Sequence, residues 1–191
     1  MKEYLYSSEM IDWQEPSIIA KATELAQGAQ SKLETARRCF EFVRDDIQHS
    51  WDALKNPVTC AASEVLRHGT GYCYAKSHLL AALLRANGIP AGLCYQRTTV
   101  AEDSPPFCLH GLNAVYLDDF GWYKLDARGN KPGVDAQFCP PVERLAFAIK
   151  TQGEKHFDEI LCEPHPLIIE LLTRYKTVLD VAANLPDATH L

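Results

Sequence analysis

Between Gly88 and Pro90 the chain changes its hydrophobic period, and that change limits the folds open to it. Before it, Cys73, Ser77, Leu80 and Leu84 recur at helical spacing, with Leu83 beside them. Gly88 suits a left-handed helix end, and Pro90 forbids a restart. After it come short runs that read as strands: Ala91 to Thr99, His110 to Leu117 and Gly121 to Asp126. The last two flank Asp118-Asp119-Phe120-Gly121, a tight hairpin signal that makes them antiparallel neighbours. Helices first and a meander of strands afterwards predict an α+β fold.

The flanks complete that outline. Pro16 opens a helical pattern to about Gln27, and a second helix is expected from Ser31 to about Asp46, with Ser31 and Glu34 as a capping box. Gln48 to Thr59, containing Asn56-Pro57, reads as a loop. A short helix from about Ala61 to His68 stops at Gly69. Thr70 is the expected N-cap of the next helix, with Gly71, Tyr72 and Cys73 in its first turn. Glu102 to Pro106 reads as a polar loop, and one long helix from about Pro166 to Asn184 closes the chain. The expectation is one domain over residues 1–191, with N-terminal helices packed on an antiparallel sheet and a C-terminal helix.

Charge and cysteine usage remove several functions. Nineteen basic residues against 25 acidic give a net charge of −6, so a nucleic-acid partner is not expected. No apolar run approaches the ~20 residues of a membrane span. Glu3, Glu9 and Asp12 interrupt the start where a signal peptide would be apolar, so a cytoplasmic location is expected. None of the seven cysteines forms C-x-x-C, and no H-E-x-x-H occurs. Neither a metal nor another cofactor is therefore expected. A zinc protein is the rival that metal content would separate. Most of the cysteines read as small buried hydrophobes.

Cys73 is the exception, because of where it stands. Sulfur reacts as the thiolate, and a helix N-terminus favours that anion. It also offers backbone N–H groups without intrahelical partners, which can hold a developing oxyanion. Gly69 and Gly71 are expected to leave room for a substrate carbonyl. A thiol nucleophile needs a base oriented by a third group. His110 opens one expected strand and Asp126 ends its hairpin partner. A turn centred near Asp118-Asp119 sets these two about opposite each other on one sheet face, where the carboxylate would fix the imidazole tautomer. Taken singly, each has a plainer use: a core thiol, a surface histidine, an aspartate capping the turn into Ala127-Arg128. Their order and their elements make the joint reading the stronger one.

Gly71-Tyr72-Cys73, Arg85-Ala86-Asn87-Gly88-Ile89-Pro90-Ala91, His110 and Gly121-Trp122-Tyr123-Lys124-Leu125-Asp126 together resemble the transglutaminase-like superfamily, related in fold to papain-type cysteine proteases. The resemblance spans roughly residues 35–130. It implies Cys73 as nucleophile, His110 as base and Asp126 as orienting acid. The chain departs from many bacterial members in having Gly111-Leu112 after the histidine, where they carry Ala-Trp, and Ala127 after the aspartate, where they often carry proline. Residues beyond about 135 match no motif.

Trp122 and Tyr72 are candidates to line a substrate groove, and His49 to donate to an oxyanion. His78 faces away from Cys73, and Cys108 reads as strand packing. The function expected is acyl transfer through a thioester on a peptide, protein or small amide. Hydrolysis is favoured; transfer to an amine and a non-catalytic peptide-binding module are the alternatives.

Overall fold

The computed structural model describes residues 1–101 and 104–191. Its centre is helix α5 (Cys73–Ala86), buried along nearly its whole length. Apolar residues fall on every side of it, and a helix of that kind must be enclosed. Helices α1 (Pro16–Ala26), α2 (Lys32–Asp45) and α4 (Ala62–His68) pack on it, and so do strands β3 (Ala91–Ala101) and β4 (Ser104–Leu117). The buried charges on α5 are matched to backbone oxygens. Arg85 donates to the carbonyls of Ala91, Tyr6 and Cys162, and Lys76 Nζ to those of Ile47 (2.5 Å) and Arg44 (3.4 Å).

Between α2 and α4 lie a two-residue strand β1 (Gln48–His49) and one helical turn α3 (Ser50–Ala53). β1 pairs in parallel with β2 (Thr70–Gly71), His49 opposite Gly71. After β4 come β5 (Gly121–Leu125), the ribbon β6 (Gln137–Cys139) and β7 (Val142–Arg144), and β8 (Lys155–His156). The main sheet is antiparallel in the order β5-β4-β3-β8. The chain ends with α6 (Pro166–Arg174) and α7 (Val178–Ala183). The architecture is α+β of the papain/transglutaminase type.

Several local expectations change. The segment 48–59 holds β1 and α3, because Thr70 returns alongside it and supplies a strand partner. Ser104–Pro106 belongs to β4, so His110 sits within a strand and does not open one; residues 102 and 103 lie outside the described residues. The long C-terminal helix is two helices. Tyr175 is extended (φ −93°, ψ 145°), and Thr177 restarts the helix by accepting from the Asp180 N–H (3.2 Å). At α2, Ser31 caps Glu34 N–H as expected, but the Glu34 carboxylate takes the Gln30 N–H in place of that of Ser31. No helix among the described residues is long and apolar enough to cross a membrane.

Candidate active site

Cys73 is the first residue of α5, and Tyr72 is the N-cap, extended at φ −63° and ψ 164° with no side-chain cap bond. Thr70 is therefore not the cap. Its hydroxyl donates to the Gln48 carbonyl (3.1 Å) and lies 3.1 Å from Ser50 Oγ, fastening β2 to β1. With no side chain among the described residues capping them, the first N–H groups of α5 remain open beside the sulfur. The glycines have local causes. Gly69 ends α4 at φ 63°, and a Cβ at Gly71 would meet Ala75 Cβ at 3.2 Å and Thr59 Oγ1 at 3.3 Å. The chain must pass tightly under its own first helical turn, so packing accounts for these glycines without a substrate carbonyl.

His110 and Asp126 meet, by a register shifted from the expected one. Three residues turn the hairpin, with Leu117 opposite Gly121, whose φ is 72°. Carried past Asn113–Leu125, this register sets Asp126 beside Leu112 and diagonal to His110. A shift of two residues preserves the face. The His110 Nε2 to Asp126 Oδ2 distance is 2.7 Å, with both side chains buried. Asp126 also accepts the backbone N–H groups of Arg128 and Ala146, each at 3.1 Å. Burial opposes its charge, but His110 and these donors hold the carboxyl below its usual range. Burial alone would discharge His110. The charges of Asp126 and Cys73, with hydrogen bonding to both, instead raise it to about 10. Since Nε2 serves Asp126, Nδ1 is the nitrogen left for the sulfur.

The strand and the helix are tied together one residue from Cys73 and one from His110. Tyr74 OH donates to the Leu109 carbonyl. A Cβ on Gly111 would lie 2.9 Å from Tyr74 Cδ1 and 3.1 Å from Tyr74 Cα, so only glycine lets the backbones approach this closely. Phe147 packs edge-on against the His110 ring, centroids 4.8 Å apart.

Cys73 and His110 line a cavity of about 270 Å³ together with Tyr72, His49, Trp51 and Leu185. His49 is buried beside the Tyr72 ring, its Nδ1 3.7 Å from Asp52 and without a hydrogen-bond partner among the described residues. Burial first, then Arg128, push it well below its ordinary range, so it is neutral. Trp122 lies elsewhere, packed on Tyr4 and Tyr116 and against a small apolar cluster of Cys94, Leu112 and Ala114. His78 points away and bonds the Cys60 carbonyl through Nδ1 (2.8 Å); burial draws it to about 4. Cys108 does reach the cavity wall, but burial pushes its thiol up to about 11. Burial does the same to Cys39, Cys60 and Cys94, each at about 12. No cluster of three or more His, Cys, Asp or Glu side chains suited to a metal occurs among the described residues.

Phe147, Ala146, Ala182 and Leu185 were invisible to sequence reasoning. They belong to the unmatched tail, and none is of a residue type that marks a site on its own.

A buried helix opening on a thiol, set against an antiparallel sheet that carries a histidine–aspartate pair, defines a papain/transglutaminase-like protein. The model of the transglutaminase-like superfamily matches residues 19–127, more than half of the chain, and the chain belongs to that superfamily. Its members are generally cysteine-dependent enzymes. Among solved structures, a protein provisionally described as a cysteine protease from Cytophaga hutchinsonii matches with TM-score 0.54 and 18% identity, over 65% of this chain and 40% of that one. The periplasmic domain of TgpA from Pseudomonas aeruginosa matches with TM-score 0.46 and 18% identity, over 59% and 42%. A transglutaminase from red sea bream matches with TM-score 0.47 and 12% identity, over 61% and 27%. The chain thus spans less than half the length of each. No curated protein matches its sequence.

Proposed function

We propose that the chain is a cysteine-dependent acyl-transfer enzyme that resolves its thioester with water, acting on an amide or related carbonyl. The observation that carries this reading is the buried His110–Asp126 bond of 2.7 Å beside the Cys73 sulfur, in a ring held charged at about 10. A charged imidazole next to a sulfur at a helix N-terminus is the setting in which a thiolate forms.

In this reading the Cys73 thiolate attacks the carbonyl carbon and a C–S bond forms. The oxyanion is met by the open N–H groups at the start of α5. The C–N bond breaks as the His110 proton passes to the leaving nitrogen. Water then adds to the thioester, giving its proton to His110, and the acid leaves as the C–S bond breaks. Asp126 holds the ring in the tautomer that presents Nδ1 to the sulfur. An amine in place of water gives the transferase outcome. Free thiols at all seven cysteines fit a reducing compartment such as the cytoplasm.

The test is intact-protein mass spectrometry after exposure to activated esters and amides. An acyl adduct mapped to Cys73, absent in Cys73→Ala, is expected. Turnover that survives Cys73→Ala would move the chemistry elsewhere.

A further inference from the structure

Residues 178–187 cross one end of the cavity and are fastened on both sides of it. On the thiol side, Tyr72 OH donates to the Val178 carbonyl (2.6 Å), and Val178 N–H donates to Asn56 Oδ1 (2.8 Å). On the imidazole side, Leu109 N–H donates to the Pro186 carbonyl (2.8 Å), and Arg97 grips both oxygens of Asp187 at 2.6 Å. Between these anchors, Ala182 and Leu185 face the cavity. The cavity also has an open side. Trp51, Thr98, Arg128 and Phe147 are shared with an adjoining basin of about 610 Å³, which also carries Lys131 and Lys150.

We propose that residues 178–187 form a fixed end wall that restricts Cys73 to short apolar acyl groups, the leaving group lying in the polar basin. The inference rests on the reading of Cys73 as the acyl-accepting thiol. Three observations support it. Ala182 and Leu185 line the cavity on a segment pinned at Val178, Pro186 and Asp187, so this wall is not free to swing aside for a longer acyl chain. Phe147 packs on the His110 ring and also borders the basin, which puts the basin beside the proposed proton donor. The third concerns extended peptides, which bind sheet edges through main-chain hydrogen bonds. Leu109, next to His110, has none to offer: its N–H is held by Pro186 and its carbonyl by Tyr74. A residue inside a polypeptide, with chain continuing both ways, meets the wall.

The experiment compares kcat/KM and Cys73 adducts for p-nitrophenyl acetate, butyrate and decanoate, and for a peptide with an internal glutamine. Acetyl and butyryl should acylate Cys73, decanoyl at least tenfold more slowly, and the peptide not at all. Leu185→Ala should raise the decanoate-to-acetate ratio at least tenfold. Asp187→Asn, which loosens the anchor without lining the cavity, should raise it less. Circular dichroism and iodoacetamide labelling of Cys73 report that fold and thiol are intact. Equal acylation by the internal-glutamine peptide, or a chain-length profile that neither variant moves, overturns the end wall alone. Absence of any adduct on Cys73 overturns the proposed nucleophile, and the wall with it.

Discussion

Replacing Asp126 by asparagine removes one charge and keeps the shape. The Arg128 and Ala146 N–H groups donate to different carboxylate oxygens, so the amide oxygen keeps one of them, and the turn after β5 should survive at the cost of about one hydrogen bond. What is lost is the largest influence holding His110 charged, and burial of that ring then favours its neutral form. The ring stands at about 10 against an ordinary 6.5. A fall through that interval is a change on the order of 5 kcal/mol in the preference for the imidazolium. Without a charged neighbour, a thiol ionises with a pKa near 8.5 and is only a few per cent thiolate at neutral pH. Alkylation of Cys73 by iodoacetamide at pH 6–7 should therefore slow by more than roughly tenfold, and its rate should climb with pH. Turnover should fall further, on the order of 10⁴-fold, because the wrong tautomer also faces the sulfur. The labelling must be read site by site, since Cys139 and Cys162 are partly exposed as well. An alkylation profile identical in the parent and the variant would refute the coupling between Asp126, His110 and Cys73.

Gly111→Ala should separate the helix start from β4, since the added Cβ meets the Tyr74 backbone. The expected cost is about 1–3 kcal/mol of stability, with a larger loss of acylation than of folding, read by thermal melts beside burst kinetics. Stability against pH should reveal two opposed slopes. His110 binds its proton more tightly when folded, so its contribution is complete below about pH 6.5 and is lost as pH rises through about 10. Lys76, drawn by burial from 10.5 to about 7, has the opposite sign, and stability grows from about pH 7 to 10.5 as the unfolded chain loses the same proton. Lys76→Met should therefore make urea-unfolding stability fall more steeply between pH 7 and 10 than in the parent chain. Parallel profiles would show that Lys76 is not shifted in this direction.

What the sequence conveys well is what a single element decides. Gly88 and Pro90 end α5, Gly69 ends α4, and the Asp118–Gly121 turn joins two strands, each from its own local conformation. The face shared by His110 and Asp126 was legible because strand parity survives a register error of two residues. The reach of β4 back to Ser104 was not, since prolines at 105 and 106 read as loop when the partner strand is unknown. Thr70 looked like a cap until β1 came beside it and claimed its hydroxyl. The cavity walls from Phe147 and Leu185 depend on where a distant tail is laid down, and no local preference encodes that.

The ties between Tyr74 and residues 109 and 111 bear on timing as well as on shape. Two elements joined by a hydroxyl–carbonyl bond and a backbone-to-backbone contact have no slack to take up when a substrate arrives. The sulfur and the ring are preorganised, so no domain closure is needed to assemble them. For the proposed reaction, added viscosogen should then slow turnover wherever passage through the open basin, and not the chemical step, is limiting.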